Sequence, residues 1–288
     1  MRAAVVGHVE WIEFLVVEAV PGPGDIAAAS ESWEQAGGGG AVAAIQLAQL
    51  ADTVLFITTL GDDDHGRRAL SELESRGVDV RASFVQAPQR RGVTFIDEIG
   101  ERTITTIGPK LHPRGHDDTL PWRELGLCEA VYFCAGDEDA LLAARRARVL
   151  VATARELPTL RRAAVELDAL VGSAKDESER FQPGELDPEP HLVVSTSGAL
   201  GGWVQPGGPF SAARAPGPRM DTYGAGDCFA AGLAFGLAAG LEGAAAVEFA
   251  ARCGAGALTG RGVHAEAVPL RAPDGEPPAG SPPGASGN

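Results

Sequence analysis

A chain of 288 residues with 44% apolar side chains can bury a substantial core as one large domain, with room for a small appendage. Its formal net charge of −15 argues against nucleic acid and anionic membrane as partners, because both are bound by basic surfaces. The four cysteines, Cys128, Cys134, Cys228 and Cys253, stand in apolar runs at no metal-ligand spacing, and neither a targeting segment nor a membrane-length run is visible, so buried reduced thiols in a cytoplasmic protein are expected.

Residues 2–7 read as a short buried strand ending in glycine, and residues 8–14 continue extended. Two acids follow that turn. Glu10 comes directly after it and Glu13 three residues on, and by position alone either can be a solvated acid on a strand edge. Residues 16–35 carry PGPG and suit edge strands and turns. The glycines Gly37, Gly38, Gly39 and Gly40 then run straight into an apolar helix, which predicts a backbone lying close to something at an exposed helix N-terminus. Residues 53–60 form a β-rich run, and the GDDDHG turn leads into a helix over 67–76 with Asp63 or Asp64 as its cap. Between residues 80 and 108 three β-rich pieces without an intervening helix predict hairpins. With residues 12–35 they make a small sheet set apart from the helical body, bearing Arg90, Arg91 and Arg102.

From residue 129 strands alternate with helices, the signature of a parallel sheet covered on both faces. Right-handed crossovers place the strand ends, including Gly136, Ser173 and Ser195, at one rim, where function should sit. Asp176 and Glu179 lie three apart at a helix start and offer oxygen to a hard cation, or are ordinary helix-start acids. The run HLVVSTSGALGG is a buried strand entering a glycine turn at Thr196, Gly198 and Gly201. Residues 220–240, MDTYGAGDCFAAGLAFGLAAG, hold the organising feature: Gly224, Ala225 and Gly226 turn so that several N–H groups converge at the positive end of a helix dipole. Asp227, in that same turn, is either a helix cap or a general base beside a nest of amides suited to a transferring phosphoryl group. A further Ala/Gly-rich helix spans 244–259, and residues 271–288, rich in proline, glycine and serine, read as a disordered tail.

The DTYGAGD run followed by an apolar helix resembles the second signature of the PfkB, or ribokinase-like, carbohydrate kinases, and the glycine run 37–40 with its helix resembles the first. The resemblance covers residues 2–268. It implies a doubly wound α/β fold with a β lid: residues 1–11, 36–79 and 109–270 as the large domain, and 12–35 and 80–108 as the lid over the substrate. It also implies ATP and Mg2+. Asp227 would be the base, with the amides of Gly224, Ala225 and Gly226 holding the transferred group. Glu10, Gly38, Gly39, Gly40 and Arg102 would meet a sugar. Thr196, Gly198, Gly201 and Gly226 would meet the nucleotide, with Cys253 and Gly256 at the adenine. Glu179 and Asp176 would act on magnesium through water, and Asp221 would either help bind an activating K+ or fix its turn. The family Asn of the first signature is replaced here by Val42. A homodimer through the lid is a family habit. Two alternatives stay open: a sugar-sensing pseudokinase, since Val42 and Asp176 depart from the family pattern, and a nucleoside kinase, for which Trp11 is the one nearby aromatic wall.

Overall fold

The computed structural model describes residues 1–270; the tail expected at 271–288 lies outside the described residues. Its frame is a nine-stranded sheet. In chain order the strands are β1 (Arg2–Val6), β4 (Thr53–Gly61), β5 (Asp79–Val85), β8 (Ala130–Phe133), β9 (Val149–Thr153), β10 (Ala169–Ser173), β11 (Val193–Thr196), β12 (Gly202–Gln205) and β13 (Gly208–Phe210). Their spatial order is β13-β12-β11-β10-β9-β8-β1-β4-β5, parallel from β11 to β5, with β12 and β13 added antiparallel at one edge. The central strands are apolar at consecutive positions because both faces are covered. On β1, Ala3 and Val5 face one core and Ala4 and Val6 the other. The first core lies under α1 (Gly39–Ala48), α5 (Ala225–Ala238) and α6 (Gly243–Ala257); the second lies under α3 (Glu138–Ala144) and α4 (Leu157–Ala163). The sixth helix, α2 (Asp64–Ser75), begins three residues earlier than its periodicity predicts, and Asp63 caps it by accepting from Gly66 N at 2.9 Å.

A separate four-stranded sheet has the order β3-β2-β6-β7, built from β2 (Glu10–Val16), β3 (Glu31–Gly37), β6 (Arg91–Ile96) and β7 (Arg102–Ile107). Its middle pair, β2 and β6, runs parallel, while β3 and β7 flank them antiparallel. Ile12 and Phe14 are buried on one face of it, and Trp11 is buried on the other. All six residues of β7 are exposed at its edge.

Two expectations need correcting. The stretch 79–85 does not join the small sheet: it pairs parallel with β4 through seven register positions, from Leu55↔Asp79 to Gly61↔Val85. Its β-rich composition suits either sheet, and what decides is the helix α2 before it, which makes β4-α2-β5 a crossover unit. The small sheet also starts at Glu10 and ends its second strand at Gly37, so both boundaries sit two residues further towards the body than 12–35. Glu10 and Gly37 are themselves partners, and this joint carries the site.

Candidate active site

The carboxyl ends of β1, β8, β9, β10 and β11 open at one rim, and the N-termini of α1 and α5 point at it. Gly224 precedes α5 with φ of 75°, a conformation open to glycine at little cost. A Cβ there would stand 2.8 Å from a methyl of Val42. Val42 is 1% exposed, so the residue replacing the family Asn lies beneath the turn as packing and cannot reach a ligand. The N–H groups of Ala225, Gly226 and Asp227 begin α5 without intrahelical acceptors, and no side chain caps them. Gly226 is exposed, with nothing within 4 Å of its Cβ position. The turn thus carries three uncapped amides and is open on the outer side of Gly226.

Asp227 follows in the first turn, with only part of its surface reaching solvent. Burial pushes its carboxyl above the usual range, while the guanidinium groups of Arg155 and Arg102 pull it back. Its Oδ1 would be 2.8 Å from a Cβ on Gly39, and the same position lies 3.6 Å from His8 Cε1. One residue back, a Cβ on Gly38 would meet Glu10 Cγ at 3.1 Å and His8 Cδ2 at 3.3 Å. The Gly38–Gly39 backbone is thus a floor along which Glu10, His8 and Asp227 follow one another. Tyr223 ties the two glycine turns together, its hydroxyl accepting from Gly38 N at 2.8 Å.

Glu10 is 7% exposed and paired with Arg90 at 2.7 Å. Burial raises its carboxyl and Arg90 opposes that shift. Glu13, by contrast, is exposed on the other face of β2. His8 is held neutral, its pKa pushed down to about 3 by burial and then by the charges of Lys110, Arg90, Arg155 and His112. Its Nδ1 is buried without a partner. His8 and Tyr223 are the residues that sequence reasoning missed. The position of His8 next to the strand-ending Gly7 was a usable signal, whereas nothing local pointed to the Tyr223 contact across 185 residues.

On the other side of Asp227, Glu179 is 8% exposed and accepts from Ser173 N at 3.0 Å. Asp176 caps a 3-10 turn over Glu177–Glu179, where a helix was expected, by accepting from Ser178 N at 3.0 Å. The two carboxylates share Arg155, which pairs with Asp176 at 3.2 Å and with Glu179 more closely. No group of three ligating side chains forms a ready-made metal cage among the described residues. Two carboxylates at the rim still suit a cation that brings its own waters and phosphate oxygens. Asp221, fully buried, spends one oxygen on Tyr223 N at 2.8 Å and the other on Gly262 N at 2.7 Å, so its structural work is to fix the turn.

Several sequence-derived residues have their side-chain side closed off by protein. Cys253 is fully buried between α5 and α6, its Sγ 2.7 Å from the Cβ position of Gly232, and touches no open space. The other three cysteines are likewise buried and free. Gly40 is closed off by the backbone of His8 and the ring of Phe56. Gly201 lies against the backbone of Phe210 and Ala212. Gly256 faces Glu266 at 3.4 Å, beside Thr259 and His264. Trp11 is 4% exposed under the guanidinium of Arg68, 4.4 Å from its ring centre, and is not free to stack on a base. Gly198 stays open towards Lys175, and Thr196 donates to Gly172 O at 3.2 Å. Arg102 donates to Thr222 O at 2.6 Å, which places its charge over the loop that carries Asp227.

Known proteins resemble this chain in fold and sequence. The chain is 30% identical, over 288 residues covering 88% of it and 91% of the relative, to an ATP-dependent ribose-1-phosphate kinase of Halopiger xanaduensis. Its fold matches that of ribokinase from Thermotoga maritima with a TM-score of 0.70, at 20% identity, covering 91% of this chain and 94% of that one. Arabidopsis thaliana ribokinase, solved with ribose and ATP, superimposes with a TM-score of 0.66 at 21% identity, over 90% and 93% of the two chains. No helix among the described residues is long and apolar enough to cross a membrane. The model of the pfkB family of carbohydrate kinases matches residues 2–156 and 147–269, and the chain belongs to that family of phosphotransferases with an alcohol group as acceptor.

Proposed function

We propose that the chain is a cytoplasmic kinase that transfers the γ-phosphate of ATP to a hydroxyl of a sugar or sugar phosphate lying on the Gly38–Gly39 floor. The observation that carries this reading is the pairing of the Asp227 carboxyl with the uncapped amides of Ala225 and Gly226, opening on space that nothing fills. Asp227 takes the proton of the attacking hydroxyl, a role suited to a carboxyl raised by burial. The amides, fixed in place by the helix, hold charge on the transferring group without reorganising. Glu10 and neutral His8 accept and donate hydrogen bonds to the hydroxyls of the acceptor, and Arg102 is the cation nearest the loop for an acceptor that already carries phosphate, as ribose-1-phosphate does for the Halopiger relative. Magnesium, when bound with the nucleotide, supplies Lewis-acid neutralisation of phosphate charge. Glu179 and Asp176 are the residues placed to hold its waters. The small sheet covers the floor and keeps water from the acceptor.

A coupled ADP-release assay over ribose, ribose-1-phosphate, ketohexoses, sugar acids, phosphorylated hexoses and nucleosides tests the acceptor class. Asp227→Asn should lose about 10²–10⁴-fold in kcat while remaining folded; near-normal turnover would remove the base from the mechanism. One observation favours a second reading. Arg155 holds both carboxylates assigned to magnesium, as would suit a sensor that binds sugar without turnover. Acceptor-dependent rises in Tm without ADP release would establish that reading.

A further inference from the structure

Of the 24 lysine and arginine residues in the sequence only two are lysines, Lys110 and Lys175. Both stand at the rim of the crevice. Wherever else this chain needs a positive charge it uses the planar guanidinium, so the compact ammonium is retained at two positions of one site. Lys110 is spent on Glu156. Lys175 is exposed and pairs with no carboxylate among the described residues.

The other cations around Asp227 are committed: Arg90 to Glu10, Arg155 to Asp176 and Glu179, and Arg102 to the carbonyl of Thr222. Lys175 follows β10, and its backbone N–H is held by Ser173 Oγ at 3.2 Å. From there the side chain reaches over the turn after β11, where its Nζ lies 3.2 Å from the Cβ position of Gly198, a residue with φ of 61°. The absence of a side chain at Gly198 makes room for the ammonium. Glu10 and His8 lie at the ends of β1 and β2, whereas Lys175 lies at the end of β10. In the sheet β10 stands three strands from β1, roughly 14 Å away. The acceptor floor and Lys175 thus occupy opposite flanks, with the amides of α5 between them. A polyphosphate entering a protein of net charge −15 must find local donors. On that flank the uncommitted one is Lys175.

We infer that Lys175 receives the phosphate chain of the nucleoside triphosphate above the Gly198 turn. The inference rests on the kinase reading given above and adds a nucleotide-binding residue to it. Three rotatable N–H donors at the tip of a flexible stem follow phosphate oxygens as a point charge, with no need for the fixed fork of an arginine.

Amine acylation with an N-hydroxysuccinimide acetate reagent, read by peptide mass spectrometry, tests this on the wild-type protein, since only two lysines and the Met1 amine react. ATP without acceptor should slow acylation of Lys175 about tenfold or more relative to Met1, while adenosine should leave it unchanged. Lys175→Ala should raise KM for ATP about tenfold or more, from the loss of one charged contact, with the acceptor KM and Tm unchanged, and Lys175→Arg should recover part of the loss. ATP that raises Tm yet leaves Lys175 labelling unchanged, or a Lys175→Ala enzyme with normal KM for ATP, would overturn the assignment and leave the kinase reading standing. ATP that neither raises Tm nor protects any amine would overturn both.

Discussion

Two glycine turns open helices at the same rim, and they are built for opposite ends. At the start of α1 the backbone is sealed, with the Cβ positions of Gly38 and Gly39 taken up by Glu10, His8 and Asp227. At the start of α5 Gly226 meets nothing within 4 Å, and its amide and its neighbours' are unspent. The first uses glycine to let functional side chains approach the main chain closely. The second uses it to leave the main chain bare for an anion. The same sequence feature, glycines before an apolar helix, therefore serves as a floor in one place and a hole in the other.

The sharpest way to break this contrast is a single methyl group placed on each turn. Gly39→Ala brings a carbon to 2.8 Å from Asp227 Oδ1, so the carboxyl must swing away from its attack position. Displacements of about an ångström cost on the order of 10²-fold, and kcat should fall by at least that much with KM for ATP little changed. Gly226→Ala adds its methyl to empty space in the first turn of a helix. It should lower kcat by about tenfold through crowding of the transferred group, while stability rises by about 0.4–1 kcal/mol because the unfolded chain loses freedom. An alanine enzyme with wild-type turnover would mean that the phosphoryl group does not pass Gly226. Tyr223→Phe tests the tie between the two turns. It leaves the buried N–H of Gly38 without its acceptor, which costs about 1–3 kcal/mol. A Tm drop should appear with a smaller change in kcat than either glycine variant gives.

Much of this was readable from the residues, and the misses share a cause. Asp227, Gly224, Gly226 and Glu179 stand out in the sequence because a local pattern, turn then helix or strand then acid, puts them at the rim where strands end and helices begin. Cys253 and Gly40 stand beside residues assigned to the site, while what surrounds them depends on the angle at which α6 meets α5 and α1 meets β1. Periodicity does not encode that angle. The strand β5 was assigned to the wrong sheet because β-propensity gives the strand but not the partner, and only the order strand, helix, strand fixes it. His8 and Tyr223 owe their places to contacts between segments far apart in sequence, which no window of residues contains.

The smallest expected effect bears on whether Asp227 is strained by its setting. Burial raises its folded-state pKa above the unfolded value near 3.9, so the folded protein holds this proton more tightly than the unfolded chain. Below the unfolded value both states are protonated and the group contributes nothing to the difference. As pH climbs through the unfolded and then the folded value, the native state must bear a desolvated charge, and stability falls. Asp227→Asn removes that charge. The variant should melt above the wild type at pH 7.5, with the gap narrowing steadily towards pH 4.5, and the wild-type kcat should fall on the acid side as Asp227 takes up its proton. A variant less stable than wild type at pH 7.5 would show Arg155 and Arg102 outweighing burial, so that the carboxylate is an ordinary paired ion rather than a base poised by its surroundings.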